Sequence, residues 1–100
     1  MINATVITLL PEENRGVFDA YATQTGKDLL VTIESVGMNE YYKAMAEGLA
    51  PEVVFVIADW ADYEGEKRVI WDGDEYRVLR AARRGMNMRL TCERGAFNGV

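Results

Sequence analysis

The chain has no histidine and one cysteine, Cys92. Without imidazole, His-ligated metal centres and Ser-His or Cys-His catalysis have no residue to act through. A single cysteine forms no disulfide within its own chain. Cys92 falls on the apolar phase of an alternating stretch, with no base residue in view to activate it, so it reads as core. Proline and glycine stay below the levels of disordered or collagen-like chains. No apolar run approaches the roughly 20 residues that a membrane-crossing helix needs. The start, Met1-Ile2-Asn3-Ala4, lacks the basic residues that open a signal peptide, and the expected compartment is the cytoplasm. There are no internal repeats.

Basic charge is scarce in the first two thirds. Met1 to Glu66 carries 3 basic and 12 acidic residues, whereas Lys67 to Val100 carries 8 basic and 4 acidic, within a formal net charge of −5. Two accounts fit. Strands from the two parts pair and their charges meet across a sheet, or the molecule is bipolar and one face meets the opposite face of a copy or partner.

One hundred residues with 49% hydrophobic content support a single domain over 1–100. The most legible stretch is Lys67 to Arg94. Asp72-Gly73, between Trp71 and Tyr76, suits the positive backbone angles of a type I′ hairpin. A second turn is expected at Arg83-Arg84-Gly85, a three-residue loop with Gly85 left-handed. Met86, Met88, Leu90 and Cys92 then alternate with polar residues as in a half-buried strand.

Upstream, Asn3 to Leu10 is rich in β-branched residues and stops at Pro11, a first strand suited to a sheet edge. Glu12 to Asp28 reads as a long irregular loop. Leu29 to Val36 is a second strand, with Leu29, Val31 and Ile33 on one face and Leu30, Thr32 and Glu34 on the other. From Met38 the spacing changes. Met38, Tyr41, Tyr42, Met45 and Leu49 mark one side of a short helix, with Asn39 as its N-cap, Glu40 in the first turn and Gly48 at its end. Val53 to Ala58 is an apolar run that fits a strand buried on both faces. Trp60 and Tyr63 sit in an acidic loop, Asp59 to Glu66, and the tail after Arg94 is expected to fray. The fold class is therefore mainly β: a six-stranded barrel or sandwich with one short helix inserted between strands 2 and 3.

No catalytic, cofactor-binding or metal-ligating set emerges, and the expectation is no enzyme and no cofactor. Asp59, Asp62, Glu64 and Glu66 lack the spacing of a calcium loop and read as a solvated acidic segment. Arg77, Arg80, Arg83, Arg84 and Arg89 around Tyr76 have the composition of a nucleic-acid-binding barrel face, which net acidity opposes. Helical spacing puts one of Tyr41 and Tyr42 in the core and leaves the other for an interface. Leu79 beside Arg77 suits a subunit contact.

The run Ile33-Glu34-Ser35-Val36-Gly37-Met38-Asn39-Glu40-Tyr41-Tyr42-Lys43-Ala44, followed by Gly48-Leu49-Ala50-Pro51-Glu52, resembles a segment of tailed-phage head-tail joining proteins. Asp62-Tyr63-Glu64-Gly65-Glu66 with Trp71-Asp72-Gly73-Asp74-Glu75-Tyr76-Arg77-Val78-Leu79-Arg80 is similar to a second, and Met88 to Arg94 to their closing strand. The resemblance covers roughly Leu29 to Arg94. The first thirty residues depart from the family's pattern. It implies a head-closure, stopper or adaptor protein: a small barrel that assembles as a ring, typically of twelve copies, below the portal and adaptor. Such a ring retains packaged DNA, which passes through without sequence-specific binding, and docks a tail protein. The implied location is the virion, with assembly in the bacterial cytoplasm and no membrane involved. Gly37 to Pro51 is implied to approach the ring axis or neighbouring subunits. The candidate interface comprises Glu40, Tyr41, Tyr42, Met45, Trp60, Tyr63, Arg77, Leu79, Arg80, Arg83 and Arg84. The alternative is a monomeric SH3- or OB-like binding module using Arg77, Arg80, Arg83 and Arg84.

Overall fold

The computed structural model describes residues 3–11 and 26–95. Most of the expected irregular loop and nearly all of the tail that is expected to fray lie outside them. The described chain runs β1 (Ala4–Leu10), β2 (Lys27–Glu34), α1 (Met38–Ala46), β3 (Val53–Ile57), a 3₁₀ turn (Trp60–Asp62), β4 (Arg68–Trp71), β5 (Asp74–Arg84) and β6 (Asn87–Arg94). The six strands close into an antiparallel barrel in the order β1-β2-β3-β6-β5-β4. The helix is inserted between the second and third strands.

Closure decides the place of β1. It pairs with β2 on one side and, through Thr8, Leu9 and Leu10, with β4 on the other. The expectation of an edge strand is thus corrected: Pro11 lies just beyond the paired residues, where a missing N–H costs no ladder bond. Trp71 Nε1 donates to Thr5 Oγ1 at 3.1 Å, adding a side-chain bond between β4 and β1.

The core follows the two-residue period of each strand. Ile7, Leu9, Val31, Val53, Phe55, Ile57, Val69, Tyr76, Val78, Leu90 and Cys92 form one buried cluster. Phe55 lies at its centre, edge-on to Trp71 and Tyr76 at ring-centroid distances of 5.4 and 6.1 Å. All five residues of β3 are buried, as its unbroken apolar run required. Its outward residue Val54 is paired in register with Thr91, whose hydroxyl is engaged by α1.

Two turns set the registers of the closing meander. Asp72 and Gly73 both have positive φ, 55° and 82°, in a two-residue hairpin with Trp71 opposite Asp74, as a type I′ turn demands. The second turn differs from expectation. Arg84 pairs directly with Asn87, so the loop is Gly85-Met86 rather than Arg83-Arg84-Gly85. Of these two central residues only Gly85 has positive φ, the type II′ pattern. Arg83 and Arg84 belong to β5, and Met86 leaves the apolar phase of β6 to stand 63% exposed at the turn. A bulge also interrupts β5. Val78 faces Cys92 and Arg80 faces Thr91, leaving Leu79 as the extra residue.

Candidate functional site

The helix is the element least like its sequence pattern. None of its residues is buried. Met38, Tyr41, Tyr42 and Met45 are all exposed, with the two tyrosine rings edge-to-face at 5.8 Å. The apolar stripe therefore points away from the barrel, and neither tyrosine is core. The barrel closes over its own side chains, and α1 is tied to it through Glu40 rather than through its tyrosines and methionines. Its start is also simpler than expected: Gly37 is the N-cap and no side chain caps it. Its end follows the expected glycine stop. Gly48 is left-handed at φ +81°, and Gly48 N and Leu49 N donate to the carbonyls of Met45 and Ala44, a Schellman closure.

Glu40 is the anchor. Thr91 Oγ1 of β6 donates to Glu40 Oε2 at 2.8 Å, and Arg80 of β5 stands 3.8 Å from the same oxygen. The chain leaving the helix is tied down as well. Ala50 N donates to Glu93 Oε1 at 3.0 Å, and Arg77 pairs with the other oxygen of Glu93. Burial pushes the Glu93 carboxyl up, but the Ala50 amide and the Arg77 hydrogen bond and charge together bring it below its ordinary value. Removing the anchor gives a direct test. Glu40→Ala is expected to leave barrel unfolding within about 1–2 kcal/mol of the parent while abolishing hydrogen-exchange protection in α1, whose attachment has no buried apolar side chain behind it. Undiminished protection in α1 would show that Glu40 does not hold the helix.

Between α1 and the bulged part of β5 lies a groove of about 240 Å³, lined by Glu40, Lys43, Ala44, Leu49, Leu79 and Arg80 among others. The bulge turns Leu79 into this groove, which explains its mixed surroundings in sequence. Next to it is a cleft of about 280 Å³ bordered by Arg80, Arg83, Arg84 and Arg89, with Glu40 as its carboxylate. Arg89 is paired with Glu34 at 2.6 Å. Arg77, by contrast, is committed to Glu93 and is not part of the cleft.

Arg83, besides bordering this cleft, reaches the acidic loop. Its guanidinium sits 3.9 Å from the Trp60 ring centroid, a cation–π contact, and donates to Gly85 O. Trp60 N donates to Met86 O at 2.7 Å. The acidic loop thus docks on the arginine-rich β5–β6 hairpin, and the two charged regions are neighbours rather than opposite poles. Asp59 caps the 3₁₀ turn through Ala61 N. Glu66 is buried, accepts from Glu64 N and faces Lys27 at 3.7 Å. The reading of this loop as wholly solvated is corrected for that residue: its carboxylate folds the segment back on itself. Tyr63 is half-buried against the core, and its hydroxyl donates to Glu66 O. No cluster of potential metal ligands occurs among the described residues, and no described helix is long and apolar enough to cross a membrane.

The first account of the charge split, charges meeting within one molecule, is seen in part. Glu34–Arg89 and Glu40–Arg80 join the acidic and basic parts, while Arg68–Glu75, Arg77–Glu93 and Arg94–Asp74 are internal to the basic part. Sequence reasoning overlooked Thr91 and Glu93 as partners of the insertion. It also overlooked Val6 and Leu30 on the outer barrel wall. Their signal was present: each is a large apolar residue in the polar phase of its strand. No protein-family model matches the chain, and neither does any curated protein.

Proposed function

We propose that this chain is a structural component of a tailed-phage head-tail junction, forming a ring below the portal and adaptor that closes the DNA-filled capsid and docks the tail. The observation that carries this reading is the mounting of α1. A closed barrel holds the inserted segment by Glu40 and Glu93 and turns Met38, Tyr41, Tyr42 and Met45 outward. A helix satisfied by its own barrel would bury that stripe; one that serves neighbouring subunits would expose it. The segment is also the one for which the family resemblance implies contact with the ring axis or its neighbours. The role is mechanical, with no catalysis and no cofactor. DNA passes the ring without sequence-specific contact, and the protein resides at the virion's head-tail interface after assembly in the host cytoplasm.

A second reading is supported by the cleft that Arg80, Arg83, Arg84 and Arg89 border: a monomeric module that binds an acidic ligand there. Light scattering of the concentrated chain, alone and with the purified portal-adaptor complex of its own phage, separates the two. The connector reading expects defined assembly on that complex even where the free chain is a monomer. A chain that stays monomeric and never joins the complex would sink it.

A further inference from the structure

The barrel order sets two exposed apolar patches on opposite sides of the molecule. Through Glu40, α1 lies over β6 and β5. Around the closed circuit of strands, β1 stands opposite β6 and β2 opposite β5. On the outer wall of β1 and β2, Val6 and Leu30 are direct cross-strand partners and are 54% and 68% exposed. Their inward neighbours Ile7 and Val31 are buried, so alternation holds this pair outward.

Shape and charge follow the same axis. The helix is a convex ridge. The Val6–Leu30 pair is flanked in register by the small residues Ala4, Thr32 and Thr8, which leaves a shallow seat for a ridge. Beside the helix stand Arg80, Arg84 and Arg89. Beside Leu30 stands Asp28, exposed, hydrogen-bonded by Thr8 and without an ion pair among the described residues.

We propose that α1 of one copy packs across the Val6–Leu30 pair of the next, head to tail, with the arginine cleft of the first copy facing Asp28 of the second. The proposal rests on the self-assembly proposed above and adds which two faces meet. Two helices packed against each other about a two-fold axis would leave both Val6–Leu30 patches bare; the head-to-tail contact covers one patch of each kind at every joint. Such a heterologous contact repeats, and its rotation decides whether it closes. Each patch is only a few side chains wide, and a stable interface needs roughly 800 Å² per partner, so the contact is expected at high concentration or when a platform aligns the copies.

Cross-linking the full chain through Tyr42→Cys and Leu30→Cys tests the pairing. The native Cys92 is fully buried and stays silent toward a short bis-maleimide. A concentrated mixture of the two single variants is expected to yield a cross-linked dimer, and the double variant a ladder. Neither single variant alone should cross-link to itself. Leu30→Glu in the Thr32→Cys background, mixed with Tyr42→Cys, should remove the cross-link that Thr32→Cys gives with Leu30 intact while leaving the urea midpoint unchanged, because Leu30 is exposed. Self-cross-linking of Tyr42→Cys alone would overturn the proposal in favour of a two-fold helix contact, and a concentrated double variant that gives no cross-link would overturn it outright. A ladder whose native mass spectrum shows only open oligomers, with no closed species even on the portal-adaptor complex, would count against the ring while leaving the pairing of faces intact.

Discussion

Phe55→Ala is expected to lower stability by about 3–5 kcal/mol, the range for truncating a buried aromatic side chain. Phe55 is fully buried, pairs in register with Ile33 and Leu90 on its two neighbouring strands, and makes edge contacts with Trp71 and Tyr76. Those rings lie on β4 and β5, across the barrel from β3, so the lost side chain is what fills the space between opposite walls. Small domains have about 5–15 kcal/mol in total, so the variant should sit close to unfolding. At about 4–8 °C per kcal/mol, its melting temperature should fall by roughly 12–40 °C. Tyr42→Ala is the matched control. Its ring is exposed, and the change should stay within about 0.5 kcal/mol. Urea titration of both variants checks the pair. A loss of less than about 1 kcal/mol at Phe55 would mean that the barrel interior is not packed around it.

Alkaline pH should destabilise the chain through Cys92, and Cys92→Ala should remove most of that effect. Burial pushes the thiol from an ordinary value of 9.0 up to about 12. The unfolded chain therefore releases this proton from near pH 9, while the folded chain keeps it to about pH 12. The unfolded state binds fewer protons in that window, so stability is intact below pH 9 and falls as pH rises. One such group contributes about 1.4 kcal/mol per pH unit, or roughly 2–3 kcal/mol between pH 9 and 11. Tyr63 adds to the slope above pH 10, its hydroxyl pushed up to about 12 by burial first, then by the Glu66 charge and Cys92. Urea unfolding at pH 8, 9, 10 and 11 reads the slope. An unchanged slope in Cys92→Ala would place the alkaline sensitivity elsewhere.

How far the sequence could be read varied with the range of the forces at work. The Asp72-Gly73 turn was legible because positive φ is a property of the residues themselves. The glycine stop of α1 was legible for the same reason. The inward faces of β2 and β6 were legible because alternation is local, β3 was legible as an unbroken apolar run, and Cys92 was correctly placed in the core by alternation. The Gly85-Met86 turn was misjudged in length and position, since Gly85 suits either loop length and only the pairing of Arg84 with Asn87 chooses between them. The bulge at Leu79 left no mark because any residue can occupy the extra position when the opposing strand runs short of partners.

The helix shows the limit most clearly. Its period was right and its direction was wrong. An apolar stripe states that some surface will be covered, but not whether that surface belongs to the same chain. Here Phe55, Trp71 and Tyr76 already fill the barrel, so the stripe has no room inside and α1 is held by Glu40 instead. Propensity and period act over a few residues, and they set the strands and the helix, their order, the two-signed charge and most of the interior. Long-range pairing gives β1 a partner on both sides, rests the acidic loop on the arginine hairpin and turns two apolar patches opposite ways. Those facts follow from closure of the strand circuit, a long-range pairing of β1 with β4 that no local pattern encodes.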